Sequence, residues 1–142
     1  MNTAVIQYYR RLLKTGFEHA GSFENASMIL DATGDRAINC GETDSFMQLY
    51  IQVADNRIED IKYLCSCGPT TNVAVEILCV LVKGTTLDEA ARVEEKAFSR
   101  VLGSESEELA TKARALLGLL NDGIARYRAQ ALSGGPQSPS AA

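Results

Sequence analysis

Apolar and polar positions alternate most clearly over residues 46–54, where Met47, Leu49, Ile51 and Val53 are separated by Gln48, Tyr50 and Gln52. A period of two marks a strand with one buried face. Residues 57–65 follow across Asp55-Asn56 and read as the hairpin partner of that strand. A strict two-residue turn would set Ile51 opposite Asp60 and Leu49 opposite Lys62, mixing the faces. A shift of one residue, from a longer loop or a bulge, brings Ile61 and Tyr63 to the apolar side instead, and this is the expected register. A third, short strand is expected near residues 27–32, ending at the turn signal Thr33-Gly34-Asp35.

Elsewhere the period is helical. Residues 3–14 place Val5, Ile6, Tyr9, Leu12 and Leu13 on roughly one side of a helix, and a loop with Gly21-Ser22-Phe23 follows. Residues 72–83 are apolar nearly all round, and with Pro69, Thr70, Thr71 and Asn72 as start signals they predict a buried helix ended by Gly84. Thr86 with Glu89 forms a capping box for a short helix, and another turn or two is expected within residues 93–101. Ser104 with Glu107 suggests a second capping box, opening a long helix over residues 105–130. Its stripe is Leu109, Ala113, Leu116, Leu120, Ile124 and Tyr127, with Arg126 and Arg128 near the C-terminal end, where the helix dipole favours cations. The pattern is α+β: a three-stranded antiparallel sheet with an N-terminal helix and several C-terminal helices packed on it.

Composition narrows the class without changing this picture. The 142 residues suit one domain with a modest core, at 46% hydrophobic and 23% charged. Domain boundaries are expected at residues 1–130, with a small, polar, Pro-rich disordered tail over 131–142. No apolar run approaches the roughly 18–20 residues of a membrane span. Arg10, Arg11 and Lys14 interrupt any N-terminal apolar stretch, so no signal peptide and no membrane association are expected, and the location read from this is cytoplasmic. A net charge of −4 without a basic stripe gives no electrostatic case for nucleic acid. No Walker-type or dinucleotide-binding glycine loop is present.

The chemistry concentrates in the cysteines. In a reducing compartment four cysteines stay as thiols, so a disulfide framework is the weaker reading. Cys40 lies in a polar Asn-Cys-Gly-Glu-Thr-Asp loop before the long strand, and Cys65-Ser66-Cys67-Gly68-Pro69 lies where its hairpin partner runs out. Because a hairpin doubles back, Cys40, Cys65 and Cys67 are expected to converge at one end of the sheet. Cys67 precedes a helix N-terminus, which favours thiolate. Glu42 and Asp44 add carboxylate oxygens. Three thiolates and a carboxylate suit tetrahedral zinc or a two-iron cluster, and the site reads as one that holds a metal or sulfur. Cys79, between Leu78 and Val80, reads as an inert buried hydrophobe. His19, the only histidine, reads as a surface or hydrogen-bonded structural residue, and Asp122 as a solvated charge.

In order along the chain, Gly21-Ser22-Phe23, Cys40-Gly41-Glu42, Ile51-Gln52-Val53 with Ile58-Glu59-Asp60-Ile61, Cys67-Gly68 and Val82-Lys83-Gly84 resemble segments of the IscU/NifU N-terminal family of iron–sulfur cluster assembly scaffolds. The resemblance spans about residues 4–130. His19 falls at the Asn of the family's Asn-x-Gly-Ser-Phe loop, and Glu42 at the Asp of its Cys-Gly-Asp. What the resemblance implies is a scaffold and not an enzyme. It would take sulfur from a cysteine desulfurase, take iron, build a labile 2Fe-2S cluster and pass it to apo iron–sulfur proteins. A homo-oligomer is left open. Cys40 and Cys67 would be ligands or sulfur acceptors. The family's third cysteine aligns with Leu116, so Cys65 is its candidate replacement, and Glu42 or Asp44 would complete the set. The Leu-Pro-Pro-Val-Lys chaperone motif has no counterpart, since residues 107–116 contain no proline. Two alternatives stand beside this reading: a zinc-binding sulfur-relay partner of a desulfurase, and a degenerate interaction module without a cluster.

Overall fold

The computed structural model describes residues 3–32, 47–65 and 68–133. Helix α1 (Thr3–Thr15) leads through a loop to β1 (Met28–Asp31), then β2 (Met47–Ala54) and β3 (Arg57–Cys65). Four helices follow: α2 (Pro69–Val82), α3 (Leu87–Ala91), α4 (Glu95–Leu102) and α5 (Glu107–Ser133). The sheet has the order β1-β2-β3, antiparallel throughout. This is the α+β architecture read from the sequence.

The hairpin register is the shifted one. Asp55 and Asn56 both take positive φ, at 54° and 61°, as a tight two-residue hairpin turn demands. Ala54 therefore pairs with Arg57 and Val53 with Ile58, but an irregularity at Gln52/Val53 moves the ladder by one residue. Beyond it Ile51 faces Ile61, Leu49 faces Tyr63 and Met47 faces Cys65. The bulge reconciles the short turn with the apolar pattern, because without it Asp60 and Lys62 would point into the core. Met47, Leu49, Ile51, Ile61 and Tyr63 are all buried on the helix side of the sheet.

Helix α2 is the centre of the molecule. It packs against α1, α4, α5 and β3, which explains why its sequence is apolar nearly all round, with Val80 as its exposed exception. Pro69 occupies the first turn, where its missing N–H costs nothing. Both parts of the Thr86/Glu89 capping box form: Glu89 N–H donates to Thr86 Oγ1 at 3.1 Å, and Thr86 N–H to Glu89 Oε1 at 2.9 Å. The cap of α5 lies two residues later than expected. Leu109 N–H donates to Ser106 Oγ at 3.2 Å, whereas Ser104 donates to the Glu105 carbonyl at 3.5 Å. At the other end α5 continues to Ser133, three residues past the expected boundary. Residues 134–142, the rest of the expected tail, lie outside the described residues. On α1 the buried side is Val5, with Tyr8, Tyr9 and Leu12 partly covered; Leu13, expected on that side, is exposed. Among the described residues no helix is long and apolar enough to cross a membrane.

The free edge of β3 is covered at both ends. Near the turn, Ile58 N–H donates to the Thr85 carbonyl at 2.8 Å and Gly84 N–H to the Ile58 carbonyl at 2.7 Å. Toward Cys65, Tyr63 N–H donates to the His19 carbonyl at 3.0 Å and Gly21 N–H to the Tyr63 carbonyl at 2.8 Å. Such pairing removes the bare hydrogen-bonding row that an edge strand otherwise presents.

Helix α5 reaches β1 through Gly123, where an added Cβ would come within 2.4 Å of Leu30 Cδ2. Gly118, one turn earlier on the exposed side, has open space around the same position. Gly123→Ala should therefore destabilise the fold by about 1–3 kcal/mol through overpacking. Gly118→Ala should stabilise it by up to about 1 kcal/mol through helix propensity. Chemical denaturation of both variants checks the contrast; equal effects would show that the α5–β1 contact is not tight at Gly123.

Candidate thiol site

The chain enters β2 at Met47 and leaves β3 at Cys65, and these two residues are a cross-strand pair. The segments carrying Cys40 and Cys67 thus attach to one end of the sheet. Strand alternation puts Cys65 on the same side as Tyr63, and its side chain packs partly buried against the core. Two residues past Cys67, Pro69 opens α2, whose N-cap Gly68 supplies no side-chain cap to the helix. The dipole of a 14-residue helix therefore points its positive end toward this part of the chain.

Of the five expected ligands, Cys65 alone falls among the described residues; Cys40, Glu42, Asp44 and Cys67 lie outside them. Cys65 is disulfide-bonded. This corrects the expectation that all the cysteines are thiols. The physical reason is proximity: cysteines that can share a metal ion are also within the few ångströms that a disulfide requires. In the oxidised form Cys65 offers no thiolate. Among the described residues there is no cluster of three or more His, Cys, Asp or Glu side chains placed to hold a metal.

Next to this end of the sheet lies a buried polar network that the sequence reading did not assemble. His19 Nδ1 is 2.6 Å from Glu76 Oε2, and both side chains are almost wholly buried. Glu76 Oε1 also accepts from the His19 backbone N–H at 3.3 Å and from Tyr63 Oη at 3.0 Å. Tyr63 Oη lies equally 3.0 Å from Asn72 Oδ1, so its single proton has two acceptors within reach. A carboxylate inside an apolar helix is tolerated only with such partners. The signal for it was present: Glu76 is the one charged residue of α2, and the chain has a single histidine. His19 is hydrogen-bonded as expected, but buried and not at the surface.

Glu76 also shapes its neighbours. Burial pushes the Tyr63 phenol far above its ordinary value, and the Glu76 charge and hydrogen bond push the same way. Burial, then the Glu76 charge, raises Tyr8 as well. The free thiol of Cys79, fully buried one helical turn beyond Glu76, is held well above 9.0 by burial first and by Glu76 and Asp60 next. The inert reading of Cys79 agrees with this. Asp122 is exposed, as expected. Leu116 is fully buried in the core.

The sequence profile of the NifU-like N-terminal domain matches residues 13–133. The chain belongs to the NifU-like N-terminal domain family. Two relatives in Archaeoglobus fulgidus, the iron–sulfur cluster assembly scaffold proteins IscU 1 and IscU 2, are each 34% identical over 91 residues. The match covers 61% of this chain and 57% of each relative, so it spans little more than half of their length. The fold is also that of solved NifU-like structures. The N-terminal NifU-like protein of Brucella abortus superposes with a TM-score of 0.54 at 17% identity, covering 93% of this chain and 94% of that one. A Fervidobacterium islandicum protein, described as a candidate cluster assembly scaffold of the SUF system, gives 0.51 at 16% identity, covering 92% and 86%.

For this NifU-like domain the raised thiol and phenol set an alkaline limit. A group whose folded value is raised binds its proton more tightly when folded, so stability falls wherever only the unfolded chain has lost that proton. The Cys79 contribution is complete below its ordinary 9.0 and is lost as pH rises from there toward the folded value; Tyr63 adds the same loss above 10.0. Unfolding free energy of the reduced protein should fall above pH 9 by up to about 1.4 kcal/mol per unit and per group. Cys79→Ala should flatten the first part of that limb, as denaturation at several pH values would show. An unchanged slope would mean that Cys79 ionises as readily folded as unfolded.

Proposed function

We propose that this domain is a non-catalytic scaffold for iron–sulfur cluster assembly. Family membership supports the reading, and one structural observation carries it: the pairing of Met47 with Cys65, which brings the chain on both sides of the hairpin to one sheet end. The cargo is a labile 2Fe-2S cluster, held by thiolates of Cys40, Cys65 and Cys67 with a carboxylate of Glu42 or Asp44. Thiolate sulfur suits iron and bridging sulfide, and a carboxylate as fourth ligand makes the cluster easier to release than four thiolates would.

Assembly starts when a thiol reductant delivers two electrons to the Cys65 disulfide, breaking the S–S bond and freeing two thiolates. Sulfur then comes from a cysteine desulfurase at the persulfide level, further thiol reductant and ferrous iron supply the electrons that reduce it to sulfide, and the cluster passes to apo iron–sulfur proteins. Cys65 takes the role that a cysteine on the last helix has elsewhere in the family, because Leu116 there is an apolar core residue.

Reconstitution of the reduced protein with ferrous iron, cysteine and a cysteine desulfurase tests the ligand set. Cys65→Ser should lose most of the bound iron and sulfide, while Cys79→Ala should retain wild-type amounts. Full retention by Cys65→Ser would remove Cys65 from the site.

A further inference from the structure

The His19–Glu76–Tyr63 network joins three pieces of chain that meet at the thiol site. Tyr63 lies two residues before Cys65 at the end of β3, and Glu76 lies two turns into the helix that follows Cys67. His19 belongs to the loop that pairs with Tyr63 through backbone hydrogen bonds on both of its sides, at 3.0 and 2.8 Å. Tyr63 is thus held in three directions: by β2 through Leu49, by the 19–21 loop, and by α2 through Glu76. The strand leading into residues 66–67 and the helix leading out of them are tied together by one carboxylate. An apolar core would hold β3 against α2 as firmly, but without fixing where along the helix the strand sits. Hydrogen bonds at 2.6–3.0 Å do fix it.

We infer that the His19–Glu76–Tyr63 network is a positioning device, which sets where the Cys65 sulfur sits by locking the end of β3 to α2. The metal-binding part of this inference rests on the scaffold reading above; the placement of Cys65 itself does not. None of the three residues is a ligand. They act through the backbone on either side of the site.

The full chain tests this with two readouts and two conservative variants, Tyr63→Phe and Glu76→Gln, which keep the packing and remove one hydrogen bond or the charge. The first readout is the fraction of Cys65 held as disulfide across a series of oxidised-to-reduced dithiothreitol ratios, by alkylation and mass spectrometry. The second is Co²⁺ binding to the reduced protein, read from the thiolate-to-cobalt absorption. Leu87→Val, a buried residue at the hairpin-turn end of the molecule, where its N–H donates to the Asn56 carbonyl, serves as a control for lost stability. Both variants should shift the disulfide equilibrium toward the dithiol by about fivefold or more and weaken Co²⁺ by a similar factor with a changed band shape. The control should leave both unchanged. Wild-type values in the variants, or an equal shift in the control, would overturn the inference and leave the network a purely structural one. Should the wild-type protein show no thiolate–cobalt band, the metal-site reading fails, while the disulfide equilibrium still decides whether the network positions Cys65.

Discussion

The register of the β2–β3 hairpin is the constraint on which the rest depends. Side chains alternate faces along a strand, so a slip of one residue would turn Ile61 and Tyr63 to the outer face and bring Asp60 and Lys62 inward. The bulge at Gln52/Val53 prevents that while keeping the tight Asp55-Asn56 turn. Everything at the far end follows from it. Cys65 falls opposite Met47, on the helix side of the sheet, and Tyr63 points at α2, where Glu76 receives its hydroxyl.

Glu76 is the second commitment. Burying a carboxylate in the central helix lowers stability unless its oxygens are satisfied, and an apolar residue of similar size would often serve the fold as well. Its presence among Val75, Ile77 and Leu78 is accounted for by what it connects: the 19–21 loop through His19, and the last turn of strand before the cysteines through Tyr63. The same helix carries Cys79, whose thiol is kept protonated by burial first and by the Glu76 charge next. The two described cysteines therefore differ in kind, with Cys65 in a disulfide at the end of the sheet and Cys79 a free thiol serving as packing.

Much of this was legible in the sequence because it is written in local periods. The alternation of Met47, Leu49, Ile51 and Val53, set against the inward need of Ile61 and Tyr63, was enough to require a one-residue shift, though not to choose between a longer loop and the bulge that provides it. The Thr86/Glu89 capping box and the stripe from Leu109 to Ile124 are equally local. The α5 cap was misplaced because Ser104 and Ser106 offer equivalent hydroxyls, and only the path of the chain out of α4 selects Ser106. Leu13 was misassigned because one helix turn carries more apolar residues than α1 has neighbours to cover. The His19–Glu76–Tyr63 network was missed for a different reason: its partners are 13 and 57 residues apart, and no period relates them. The redox state of Cys65 was beyond the sequence too, since spacing announces that cysteines can meet but not whether they meet as thiols.

The central claim, that this sheet end carries iron–sulfur cargo, is tested most directly by analysing metal and acid-labile sulfide, with a visible absorption spectrum, on protein purified anaerobically under reducing conditions. The account predicts a brown protein with iron and sulfide in equal amounts. A colourless protein, whether it carries zinc or no metal at all, would contradict it.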